Sequence, residues 1–176
     1  MTSVAKTLDI PIVISQQYTK VFGNTLHDCF DDPTDIGSTK YPVFDKKLFS
    51  MLTPDVKAHL KLTNDHDHDD ENLLTNRTSY LLMGIETHVC VQQTALDLLE
   101  LGHDVHILVD GVSSQQPLDR EIALQRMTQA GAFLTTSQSA AFMLMKSAEH
   151  ENFKTISKLT VAHMKEENAF NQALLP

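Results

Sequence analysis

Short apolar runs, separated by polar and amphipathic stretches, organise this chain. The first, Ile10-Pro-Ile-Val-Ile14, is β-branched and predicts a buried strand, with Pro11 tolerable near its start. From Ser15 to Lys40, Gly, Asn, Asp, Pro and Thr dominate, with Gly23-Asn24 and Asp32-Pro33 as turn signals, so a long irregular loop is expected. Val43-Phe44 marks a second short strand or bridge. Thr53-Pro54-Asp55 then reads as an N-cap, a proline at the first helical position and an early acid, which starts a helix to about Leu62.

The second half alternates more regularly. Tyr80-Leu-Leu-Met83 predicts a buried strand, and Gly84 marks its end, where the backbone must turn sharply. Thr87 can cap a helix to Leu101, with Val91, Ala95, Leu98 and Leu99 on one face and Gly102 at the C′ position. Val105 to Val109 is a further strand, Leu118 to Ala130 an amphipathic helix beginning near Asp119, and Ala132 to Thr135 a short strand. Thr136 or Ser137 caps a Met-rich helix to Ala148, in which Met143 and Met145 read as packing residues, and Asn152 to about Leu159 makes the last helix. Strands alternating with helices predict an α/β fold, a doubly wound, mostly parallel sheet with helices on both faces. Ligands of such sheets bind outside the carboxyl ends of the strands. That rule selects the Ser15 to Gly23 loop, the Gly84 to Cys90 turn and the Asp110 to Gln116 loop.

Composition narrows the reading. A length of 176 residues suits one domain spanning 1–176, and 41% hydrophobic with 21% charged residues is ordinary for a globular chain. The apolar runs are far short of the ~20 residues a membrane-spanning helix needs. The N-terminus lacks a basic stretch followed by an apolar run, so a cytoplasmic location is expected. Five of the acids behind the net charge of −9, Asp65, Asp67, Asp69, Asp70 and Glu71, sit in one polar insertion at about 64–73. No basic footprint exists for nucleic-acid phosphates or an anionic membrane, so neither partner is expected. His66 and His68 give that insertion metal-ligand residue types, but a loop offers no fixed geometry, and it reads as a solvated linker. Cys29 and Cys90 are widely separated and read as thiols; Cys29, in the long loop, is a plain one.

Cys90 is the sharpest chemical candidate. With Thr87 as N-cap it falls on the first turn of a helix, where unpaired backbone N–H groups and the helix dipole favour a thiolate. The same N–H groups could hold an oxyanion. A small hydrophobe packed under the strand is the alternative, and local sequence leaves both open.

A wider pattern bears on that choice. Met83-Gly-Ile-Glu-Thr-His-Val-Cys-Val91, followed by Thr94, Leu98, Leu99, Gly102 and Val105 to Asp110, resembles the isochorismatase-like cysteine hydrolase superfamily, in particular the type-2 branch of isochorismatase domain-containing proteins. Pro11-Ile-Val-Ile-Ser-Gln-Gln-Tyr18 resembles that branch's second strand and loop, and Lys46 with Phe49-Ser50-Met51 its lysine segment. Asp110 with Ser113-Ser114, Asp119-Arg120, Ala123-Leu124, Gly131 to Ser137, Phe153-Lys154, Ile156 and Lys158-Leu159 carry the likeness to the last helix.

The resemblance implies an isochorismatase-like, Rossmann-type three-layer fold and a hydrolase acting on an amide or related carbonyl of a small molecule. It makes Cys90 the nucleophile and Lys46 the residue that keeps the thiolate charged. It places a non-proline cis peptide between Ile85 and Glu86, with the Glu86 and Cys90 N–H groups as oxyanion donors. Tyr18, Phe22, Gly23, Asp110 and Ser113 become substrate-contact candidates. Zinc-binding members carry an Asp-x-His pair where this chain has Ser15-Gln16-Gln17-Tyr18, so no metal or other cofactor is expected. A homodimer or homotetramer is implied. The family's catalytic Asp ends a first, central strand lying between the strands at Ile10–Ile14 and Tyr80–Met83. Because Met1 to Asp9 reads as the end of the helix after it, that strand and its Asp are expected to be missing. The chain is then either a truncated hydrolase or a non-catalytic module of the same fold that binds partners.

Overall fold

The computed structural model describes residues 1–62 and 77–165, so the Asp/His-rich insertion lies outside the described residues. The elements run α1 (Thr2–Thr7), β1 (Ile14–Gln17), α2 (Thr19–Phe22), β2 (Val43–Lys46), α3 (Pro54–Leu60), β3 (Ser79–Ile85), α4 (Gln92–Glu100), β4 (Asp104–Ser113), α5 (Pro117–Gln129), β5 (Phe133–Thr135), α6 (Ser137–Met145) and α7 (Phe153–His163). Parallel strands flanked by helices make this an α/β fold, as the alternation predicts. No helix among the described residues is long and apolar enough to cross a membrane.

Several boundaries differ from expectation for local reasons. The first strand begins at Ile14, not Ile10, because a residue before proline is restricted and proline cannot donate to a ladder. The expected irregular loop contains the rest of β1, the single turn α2, and 3₁₀ turns at His27–Cys29 and Pro33–Asp35. Single turns leave no periodicity to read. Thr53 caps α3 as expected, its side chain accepting the Val56 N–H. Thr87 caps nothing: it is fully buried, and its hydroxyl has no hydrogen-bond partner among the described residues. A π-helical turn, Thr87–Val91, instead joins β3 to α4, marked by the Val91 N–H donating to the Glu86 carbonyl at 3.2 Å.

The residues group into two compact units. One comprises 1–14, 25–43 and the chain from 137 onward. Its core packs Val4 of α1 with Ala141 and Met145 of α6 and Ile156 of α7, with Phe153 and Leu159 at the margin. Met143, by contrast, is 63% exposed, so only one of the two predicted packing methionines packs.

The other unit comprises 15–24 and 44–136 and holds the parallel sheet, in the order β3-β4-β5. Val105, Ile107 and Leu108 of β4, Ala95 and Leu98 of α4, and Ala123 and Met127 of α5 are all buried there, each large side chain contributing about 1.5–3 kcal/mol. β4 runs longer than Val105–Val109 and is bulged against β3. Leu82 pairs with Ile107, yet Gly84 pairs with Val112 and Ile85 with Ser113. Gly111 sits in that bulge, where a Cβ would come within 3.2 Å of the Met83 Cβ, so a side chain would force the strands apart. Arg120 of α5 holds the bulge by donating to the carbonyls of Val109 and Val112, and burial lowers its pKa from the usual guanidinium value. Among the described residues β3 has β4 as its one strand partner, and Met83 and Ile85 are 43% and 69% exposed.

Candidate active site

The site is assembled from three chain segments of the sheet-bearing unit. The end of β2 presents Lys46, the turn between β3 and α4 presents Cys90, and the end of β1 presents Gln17. Lys46 is only 6% exposed. Its ammonium donates to Gln17 Oε1 at 2.5 Å, the Phe49 carbonyl at 2.8 Å and the Leu48 carbonyl at 3.0 Å, and it lies 3.6 Å from Cys90 Sγ. The three oxygens are uncharged, and no carboxylate pairs with Lys46 among the described residues. A buried ammonium needs a counter-charge or many dipoles. Here it has three dipoles and one ionisable atom, the sulfur.

The turn that carries Cys90 is itself held from below. Thr94 Oγ1 donates to the Cys90 carbonyl at 2.7 Å and accepts the Met51 N–H at 2.8 Å, tying the turn to the segment after Lys46. The Ile85–Glu86 peptide bond is cis. Glu86 does not point at the sulfur: its Oε2 accepts the Gln115 N–H at 2.8 Å. Among the described residues the only side-chain partner of Cys90 Sγ is Lys46. Cys29 is exposed and lies in the other unit.

The remaining predicted residues are placed variously. Tyr18 is left-handed at φ 41°, donates its N–H to the Lys46 carbonyl at 2.9 Å, and has Lys47 Nζ 5.3 Å from its ring centre. Phe22, at the end of α2, is 73% exposed, and Gly23 follows it at φ 78°, which a glycine tolerates. Asp110 and Ser113 lie within β4 rather than in a loop after it, and Ser113 pairs in register with Ile85 beside the cis peptide. A shallow groove of about 610 Å³ runs over α5 between Pro117, Arg120, Leu124 and Leu134, and neither Cys90 nor Lys46 lines it.

Sequence reasoning misses two features. Gln17 is visible as a polar residue in a strand but not as an acceptor for Lys46. His88 is visible only as part of a motif: its Nδ1 lies 3.0 Å from Ser114 Oγ, and its ring sits between the Glu86 and Asp119 carboxylates, each at 3.9 Å.

Comparison with known proteins agrees with the resemblance. The Isochorismatase domain family matches residues 1–139. A protein of Phytophthora sojae named secreted isochorismatase effector Isc1 is 44% identical over 171 residues, 97% of this chain and 76% of its own. The solved structure of a protein named MAR1 ribonuclease from Caenorhabditis elegans superposes with a TM-score of 0.77 at 35% identity, covering 99% of this chain and 79% of that one. The YcaC gene product of Escherichia coli, described as an octameric hydrolase of unknown specificity, shares the fold at a TM-score of 0.67 and 20% identity over 93% of this chain and 78% of its own. The chain belongs to the isochorismatase-domain family.

Proposed function

We propose that this chain is a hydrolase of that family in which the Cys90 thiolate attacks an amide or related carbonyl carbon of a small molecule. The carrying observation is the buried Lys46 ammonium, 3.6 Å from Cys90 Sγ and surrounded otherwise by uncharged oxygens. The sulfur adds to the carbonyl carbon, and the resulting oxyanion is held by backbone N–H groups of the Glu86 to Cys90 turn. Collapse expels the amine, which takes its proton from solvent, and water then hydrolyses the thioester to release the acid and restore the thiolate. No described carboxylate touches the sulfur, so in this scheme Lys46 alone supplies its counter-charge. Tyr18, Phe22, Gly23, Asp110 and Ser113 are the proposed substrate contacts. No metal or cofactor enters this scheme.

The whole chain is read as one domain, located in the cytoplasm and assembled as a homodimer or homotetramer. Leu118 and Ile122, 66% and 54% exposed one turn apart on α5, suit such an assembly. A second reading, a non-catalytic binding module of the same fold, is favoured by the same absence of a carboxylate at the sulfur. An RNA substrate, such as the name of the C. elegans ribonuclease gives that protein, fits a chain of net charge −9 poorly.

Peptide-resolved capture by iodoacetamide at neutral pH separates the readings. Rapid modification of Cys90 that is lost in Lys46→Met supports the hydrolase. Capture no faster than that of a free thiol, unchanged by Lys46→Met, supports the binding module.

A further inference from the structure

Thr94 and Lys46 tie Cys90 to the rest of its unit, and the same turn carries a second polar cluster. His88 Nδ1 is 3.0 Å from Ser114 Oγ and 3.9 Å from Glu86 Oε2, while His88 Nε2 is 3.9 Å from Asp119 Oδ2. Glu86 in turn accepts the backbone N–H of Gln115. The cluster therefore ties three things together: the Cys90 turn, the Ser114–Gln116 segment after β4, and the first turn of α5. The imidazole is about one-third exposed, so its proton exchanges with solvent.

Carboxylates dominate the described surroundings of the ring. Glu86 on its own turn and Asp119 on α5 face the ring, and β4 carries Asp110. β3 carries no charged side chain, and α4 offers only Asp97 and Glu100, more than a turn beyond Cys90. The α5 cation next to Asp119, Arg120, spends two of its N–H groups on β4 carbonyls.

We propose that His88 is a positioning residue that clasps the Cys90 turn to the Ser114–Gln116 segment and to α5, and that it grips harder when protonated. The proposal rests on Cys90 being the nucleophile, since its purpose is to hold the sulfur and the turn's N–H groups in one geometry. A neutral imidazole keeps the Ser114 hydrogen bond alone; an imidazolium adds two charge-assisted contacts across the same junction.

The clasp is read by hydrogen exchange at the Gln115 amide, corrected for the intrinsic rate at each pH, in the full chain. Protection of that amide should rise about fivefold as the solution is taken from mildly alkaline to mildly acidic pH, the value of roughly one added hydrogen bond. His88→Gln, which keeps a hydrogen bond to Ser114 but cannot be charged, should abolish that rise, and Asp119→Asn, an exposed change that spares folding, should reduce it. Iodoacetamide capture of Cys90 should slow about tenfold in His88→Ala, because a turn set slightly out of place misaims the sulfur. A pH-dependent protection identical in the wild type, His88→Gln and Asp119→Asn would overturn the clasp. Gln115 protection that follows His88 while wild-type Cys90 reacts only as a free thiol would leave the clasp standing and sink the nucleophile.

Discussion

The Lys46–Cys90 corner and the Thr19–Gly23 turn both belong to the sheet-bearing unit, yet they are built by opposite rules. In the corner the two tying side chains are fully engaged: Lys46 has four partners, Thr94 donates and accepts, and Val91, Ala95 and Leu98 of the same helix region are buried. In the turn the backbone bonds are local, as in Gly23 N–H to the Thr19 carbonyl and Val21 N–H to the Tyr18 carbonyl, and the side chains of Val21 and Phe22 stand 63% and 73% exposed. The adjacent lysines repeat the contrast, Lys46 buried on the sulfur and Lys47 over the Tyr18 ring. A rigid corner can fix a reacting atom, whereas an exposed apolar turn can adapt to a ligand.

The sharpest break in the comparison is thermodynamic. Leu98→Ala, at 1% exposure under the Cys90 turn, should destabilise by about 2–5 kcal/mol in urea unfolding, while Phe22→Ala should change stability by no more than about 0.5 kcal/mol. Equal losses would mean that α2 is packed as tightly as α4. Next, Lys46→Met should slow iodoacetamide capture of Cys90 about 10–100-fold, as expected for removing an opposite charge within 4–6 Å, whereas Lys47→Met should leave it unchanged. Thr94→Val should lower stability by about 1 kcal/mol through the lost Met51 and Cys90 contacts, with a parallel slowing of capture.

The smallest effect is a pH dependence away from the corner. His103 packs edge-on against the Tyr80 ring at 5.3 Å, and burial lowers its pKa from 6.5. The unfolded chain therefore binds its proton more readily than the folded one, so this contribution to stability is complete above pH 6.5 and is lost as pH falls below it. Urea midpoints should decline over that window in the wild type and less so in His103→Gln.

Much of this architecture is legible in the sequence. The strand–turn–helix around Cys90 shows itself because a buried apolar run, a glycine and a capping pattern follow one another within ten residues. Thr87 misleads for a physical reason: its residue type fits a cap, but the π-turn buries it and leaves the capping position to Glu86. β4 reads too short because Asp110, Gly111 and Ser113 look like loop residues, while the bulge held by Arg120 and opened by Gly111 keeps them in the strand. The α2 turn and the two 3₁₀ turns are too short to have a period. The His88–Asp119 contact spans 31 positions, and no local pattern encodes it.

Cys90 as the nucleophile, with Lys46 as its counter-charge 3.6 Å away, is tested by intact-protein mass measurement after brief exposure to p-nitrophenyl acetate, an activated acyl donor. An acetyl adduct should form on the wild type, be absent from Cys90→Ser and form about 10–100-fold more slowly in Lys46→Met. An adduct that forms equally fast in all three proteins would contradict this assignment.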